Sequence, residues 1–136
     1  MSIIRHAATR RTETPNAVMT TFASPTQGGA GLSMWHVEMR AGQSGPAHAF
    51  DVEQVWTFLS GGATVELGGE RLAIEPGDTV VMPPDVRRRI FSGDDGMTAI
   101  VAAPAGGRAY TVDGPIDVSP ACARPDGDKL VPAWVV

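Results

Sequence analysis

The stretch GPAHAFDVEQVWTFLSG, residues 45–61, is the one on which the fold reading turns. A glycine-rich loop, residues 41–46, delivers the chain to His48. Two residues on stands Phe50, where a second imidazole would complete a chelating pair, and Gln54 follows where a carboxylate would be expected. Residues 53–60 read as a strand whose alternation places Gln54, Trp56 and Phe58 on one face. His48 and Phe50 share a face by the same rule. Gly61-Gly62 closes the strand, and residues 63–67 are expected to run back as the second arm of a hairpin.

Outward from this centre the chain divides into short runs of period two, with no long helical periodicity, repeat or heptad. Towards the N-terminus, residues 2–4 and 17–23 are expected to be strands. Residues 32–40 alternate, with Leu32, Met34 and His36 on one face and Ser33, Trp35 and Val37 on the other. Towards the C-terminus, residues 70–74, 79–82, 86–91 and 98–102 read as further strands. Turns at Pro76-Gly77-Asp78 and Pro83-Pro84-Asp85 separate them. After Pro104 the chain reads as irregular, with Trp134 expected to fasten this tail to the body by burying its indole. Many short antiparallel strands at this spacing imply a sandwich or closed barrel.

Composition narrows the function classes. The 136 residues suffice for one domain with a core, and 43% apolar with 19% charged residues is a globular balance. A net charge of −4 argues against a nucleic-acid partner, and Arg87-Arg88-Arg89 is too local to reverse that. The 16 Gly and 11 Pro punctuate many short strands. Cys122 is the only cysteine, so no internal disulfide forms. No apolar run approaches a membrane span or a signal peptide, and the expectation is a cytoplasmic protein without membrane contact.

Two stretches resemble the conserved motifs of the cupin family. In the first, Gly42 is followed by five residues, then His48, Ala49, Phe50, three residues, Gln54, six residues and Gly61. The second falls on Gly69, Pro76-Gly77-Asp78, Pro83-Pro84, Arg88 and Ser92. The resemblance covers roughly residues 30–102. It implies an all-β, double-stranded β-helix or jelly-roll barrel with one open mouth and irregular N- and C-terminal extensions. A single cupin domain would then span residues 1–136, with N-terminal strands in 1–29 and a tail, 103–136, packed on the barrel. It also implies a homodimer.

The departures bear on chemistry. Metal-binding cupins use three His and one Glu. Carried over position by position, only His48 survives: Phe50 has no donor, Gln54 offers a neutral amide oxygen, and Arg88 is a fixed cation. No cofactor is therefore expected. If a divalent metal binds, His48 and Gln54 are its candidates, with His36, and Glu38 beside it, joining them should that strand turn this face inward.

The resemblance points the faces of His48, Phe50, Gln54, Trp56 and Phe58, and of Arg88 and Ile90, into the barrel, with Arg87 and Arg89 outward. Such a pocket suits a small anionic or aromatic organic molecule. Arg88 offers a fork to a carboxylate or enolate, and His48 a general base or acid near neutral pH. Three functions stay open. One is metal-free ligand binding. The second is an enzyme of the isomerase, cyclase or dehydratase type, with His48 and Arg88 catalytic, or metal-dependent through His48 and an unusual ligand set. The third is a structural barrel filled by its own side chains, in which Arg88 pairs with an acid such as Glu38 or Glu53 or turns outward.

Overall fold

Sequence alternation becomes alternating burial. A computed structural model describes residues 2–112 and 129–136. In β3 (Leu32–Met39), Ser33, Trp35, Val37 and Met39 are buried, while Leu32, Met34 and Glu38 are exposed. The apolar set faces inward because burying a Trp, a Val and a Met contributes several kcal/mol that the opposite register would forfeit. The other strands are β1 (Arg10–Glu13), β2 (Val18–Ala23), β4 (His48–Phe50), β5 (Gln54–Leu67), β6 (Glu70–Ile74), β7 (Thr79–Met82), β8 (Arg88–Pro104) and β9 (Ala109–Thr111).

These nine strands form one curled antiparallel sheet, the all-β jelly-roll architecture expected from the sequence. Its path runs β1-β2-β3-β8-β4-β9, and β5 pairs with β6, β7 and β8. Buried side chains of β2, β3, β5, β7 and β8, among them Met19, Trp35, Phe58, Met82 and Val101, make the core between the two halves of the curl.

The hairpin expected at Gly61-Gly62 does not form. β5 continues through it for 14 residues, and β8 likewise joins the two strands expected at 86–91 and 98–102. The two long strands pair from Val55↔Ala102 to Leu67↔Arg88, with register shifts at Phe58/Ser60 and Gly61/Ala63. Glycine is used here to bend rather than to reverse. Gly61 has φ 69°, and a Cβ on it would lie 1.9 Å from the carbonyl oxygen of Gly96. Only a residue without a side chain lets the two strands cross this closely.

Two other expectations change. Residues 2–4 form no strand; a 3₁₀ turn, His6–Ala8, precedes β1 instead. The segment after Pro104 supplies β9, which pairs Ala49↔Tyr110 and Phe50↔Ala109. Residues 129–136 are held on the barrel by side-chain hydroxyls donated to their carbonyls. Thr21 Oγ1 reaches Trp134 at 2.7 Å, Ser33 Oγ reaches Val135 at 2.5 Å and Ser24 Oγ reaches Val136 at 2.5 Å. Cys122 lies outside the described residues. Among the described residues no helix is long and apolar enough to cross a membrane.

Candidate functional site

The curl encloses a cavity of about 570 Å³. One wall is Met19 of β2 with Trp35, Val37 and Met39 of β3, and another is Gln54 and Trp56 of β5 with Ile90 of β8. His48 and Phe50 of β4 and Tyr110 and Thr111 of β9 close one side. The loop 14–17 and residues Leu130, Pro132 and Trp134 form the rim. All three tryptophans of the chain line this space. The lining is mostly apolar with a few polar groups, the usual make-up of a small-molecule pocket.

His48 is placed from both sides of its backbone. The loop before it is pinned by Ser92, whose hydroxyl donates to the Arg40 carbonyl at 2.5 Å and accepts the Gln43 N–H at 2.9 Å. β4 then pairs His48 with Arg88 on β8 and with Thr111 on β9. The ring's Nδ1 lies 2.7 Å from the Pro46 carbonyl oxygen. A carbonyl only accepts, so Nδ1 carries the proton and Nε2 keeps its lone pair. Burial, reinforced by the Arg88 cation, pushes the imidazole down to about 4 against the opposing pull of the Pro46 carbonyl. His48 is therefore neutral at pH 7. It offers a weak base there rather than the near-neutral acid or base expected from sequence.

Arg88 is inside, as the family resemblance implies, but it does not reach the cavity wall. It lies one layer behind, with its guanidinium carbon 4.7 Å from the centroid of the Phe50 ring. Its Nη1 donates to Gln54 Oε1 at 2.8 Å and to the Met82 sulfur at 3.1 Å. Gln54 Oε1 also accepts the indole N–H of Trp56 at 3.0 Å, so the amide oxygen is fully used. No carboxylate among the described residues forms an ion pair with Arg88; Glu38 and Glu53 are both exposed. Burial pushes Arg88 down to about 9, with the neighbouring Tyr110 partly opposing, and it stays charged at neutral pH. Its direct fork to a ligand, expected from sequence, is blocked in this arrangement by the Phe50 ring.

The remaining expected residues divide. Phe50, Gln54, Trp56 and Ile90 do line the cavity. Phe58 does not: it is fully buried in the core, stacked on Trp56 with ring centroids 5.9 Å apart. His36 faces away from the cavity, on the surface opposite Trp35 and Val37, with Phe22 at 6.4 Å. Its neighbours in sequence are the larger apolar residues, and they take the inside. His36 therefore cannot join His48 and Gln54 around a metal, nor can the adjacent Glu38, which shares its face. Arg89 packs over Phe91 on the outer face, whereas Arg87, expected to point outward, is largely covered beside Glu66 with 12% of its side chain exposed.

Tyr110 was not anticipated. It is buried on β9 at the cavity wall, and its hydroxyl donates to Asp85 Oδ1 at 2.7 Å. Asp85 sits at φ 61°, in the left-handed region that short polar residues tolerate, and its N–H donates to the Phe50 carbonyl at 2.7 Å. The turn thus buttresses β4. Burial, then the Asp85 bond and charge, push the Tyr110 phenol up from its ordinary range, so it remains protonated. The alternating run AYTV, 109–112, was the available signal for this strand.

The residues at the usual cupin metal position do not fit a metal. They offer one imidazole nitrogen, an amide oxygen that already accepts two hydrogen bonds, and a guanidinium 2.8 Å from that oxygen. Divalent ions in such sites take three or more N, O or S donors. Among the described residues no group of three or more His, Cys, Asp or Glu could gather around an ion.

Comparison with known proteins agrees with the architecture. The sequence model of the cupin domain matches residues 35–103. No protein of curated function matches the chain significantly. Among solved structures, KdgF from Halomonas sp. is similar at 20% identity and a TM-score of 0.65, over 76% of this chain and 94% of that one. An RmlC-like cupin from Shewanella frigidimarina matches at 19% identity and a TM-score of 0.65, over 75% and 89% of the two chains. The DMSP lyase DddQ from Ruegeria pomeroyi matches at 19% identity and a TM-score of 0.66, over 74% of this chain and 58% of its own. At such identities the likeness speaks for the fold. With the family match across half of the sequence and the jelly-roll geometry, the chain belongs to the cupin family.

Proposed function

We propose that the barrel binds a small, largely apolar or aromatic organic molecule carrying one polar or anionic end, without a metal. The observation that carries this reading is the cavity of about 570 Å³, walled by three indoles and with His48 and Gln54 among its few polar side chains. The apolar body of the ligand lies against Trp35, Trp56 and Trp134, and its polar end faces His48 and Gln54. Because every tryptophan lines the space, intrinsic fluorescence reports on occupancy. Titration with small aromatic and aliphatic carboxylates, amides and alcohols is expected to change the emission saturably and raise the melting temperature. A panel that leaves both unchanged refutes the reading. Elemental analysis of untagged protein is expected to find no stoichiometric metal. Stoichiometric metal that disappears in His48→Ala would overturn the metal-free part.

A second reading is favoured by one specific feature, the neutral His48 ring with Nε2 unengaged at the cavity wall. It makes the protein an enzyme of proton transfer next to a carbonyl, with His48 as base. Loss of turnover in His48→Ala with ligand binding retained separates enzyme from binder. The functional unit in either case is proposed to be a homodimer, supported by exposed Leu32 and Met34 on the outer face of β3; sedimentation tests this.

A further inference from the structure

We infer that a carboxylate-binding subsite lies concealed behind Phe50, formed by Arg88 and Gln54 and opened when the Phe50 ring turns aside. This deepens the proposed function, on which it rests, by naming the chemical class of the ligand's polar end.

The first support is a surplus of buried donors. Arg88 is entirely buried, yet its Nε and Nη2 have no hydrogen-bond partner, and neither has Nε2 of Gln54. Turning the amide over does not help, since Oε1 already serves both Arg88 and Trp56. A buried cation with unpaired N–H groups is a costly arrangement, and natural interiors pair such groups. What is missing is an acceptor, and a negative one. No described carboxylate supplies it: Asp85 is engaged by Tyr110, and Asp51 by Arg108 and Lys129. A carboxylate has two oxygens to set against the free edge of the guanidinium and the amide N–H.

The second support is the barrier itself. Phe50 touches the cavity and also covers the guanidinium at 4.7 Å, so one ring separates the cation from the open space. β4 is only three residues long, and a bend at 51–52 follows Phe50 at once. The Phe50 carbonyl is tied by the Asp85 N–H, so opening the subsite is a rotation of the side chain with the strand held in place. Volume to receive it exists in the cavity. His48, being neutral, neither competes for the anion nor repels it.

The test compares 2-naphthoate with its near-isostere 2-naphthamide by tryptophan fluorescence. Wild type is expected to prefer the acid by about tenfold to a hundredfold, the range of hydrogen bonds to a charged group. In Arg88→Met the ratio is expected to fall close to one. Should that variant fail to fold, wild type alone decides: the Arg88 Nε–H resonance in ¹⁵N-labelled protein should shift with naphthoate and stay put with naphthamide. Equal affinity for the two, or an Arg88 resonance indifferent to the acid, overturns the subsite while the cavity reading stands. Binding of neither compound overturns both.

Discussion

Lowering the pH from 7 to 4.5 should destabilise this protein through one side chain, His48. Its imidazole is pushed from 6.5 down to about 4 in the fold. Between those values the unfolded chain binds a proton that the folded one refuses, so stability rises with pH across the window and falls as pH drops through it. The full difference, at about 1.4 kcal/mol for each pH unit, is about 3 kcal/mol, and roughly 2 kcal/mol of it is realised by pH 4.5. No carboxylate among the described residues forms an ion pair with His48, and Arg88 acts in the same direction as burial. Asp51 works at lower pH. Burial would raise it, but its Arg108 and Lys129 partners outweigh that and hold it below 3.8, so its contribution is lost only as pH falls through the acid range beneath the window. The assay is urea unfolding at pH 7 and pH 4.5 for wild type and His48→Gln. Wild type should lose about 2 kcal/mol more than the variant between the two conditions. Equal losses, or an NMR titration placing His48 at or above 6.5, would refute the desolvation of its imidazole in the fold.

Three further outcomes follow from the geometry. Arg88→Met should be neutral to stabilising by about 1–3 kcal/mol at pH 7, because it removes a buried charge that no carboxylate among the described residues pairs; a loss of more than 1 kcal/mol in urea unfolding contradicts this. Gly61→Ala should cost about 2–4 kcal/mol, combining a positive φ with a Cβ placed 1.9 Å from the Gly96 oxygen. A melting temperature within a degree or two of wild type would show that the strands do not cross so closely. Ser33→Ala should cost about 1–2 kcal/mol and hasten limited proteolysis near residues 129–136, since the Val135 carbonyl loses its hydroxyl donor; unchanged cleavage contradicts the anchoring role of Ser33.

Alternation and motif spacing carried the sequence reading a long way, and their failures have physical causes. Residues 32–40 showed two faces, but period two does not say which one is inside. Trp35, Val37 and Met39 outweigh Leu32 and Met34, and that comparison would have put His36 outside. Gly61-Gly62 was read as a turn because two glycines permit a reversal, and they equally permit a bend. The choice is made by Gly96, 35 positions away, against which Gly61 packs. The placement of His48, Phe50 and Gln54 around one space was legible through the resemblance of their motif to the cupin one; strand parity alone pairs only His48 with Phe50. The order of Phe50 and Arg88 from the cavity outward was not, because it depends on side-chain packing between β4, β5 and β8 rather than on any pattern along one strand. Tyr110 hid in a segment whose Gly and Pro content masked a three-residue strand.

The unbroken course of β5 and β8 bears on how anything reaches the interior. A strand shared by both halves of a curled sheet cannot leave one half without loosening the other, so the paired walls open only at a cost near that of global unfolding. The rim is different. The loop 14–17 and residues 130–134 border the cavity yet lie outside the long ladder, and hydroxyls of β2 and β3 donate to the carbonyls of Trp134 and Val135. A molecule entering the proposed site would therefore pass the rim and not the walls, and its exchange would leave the long strands paired.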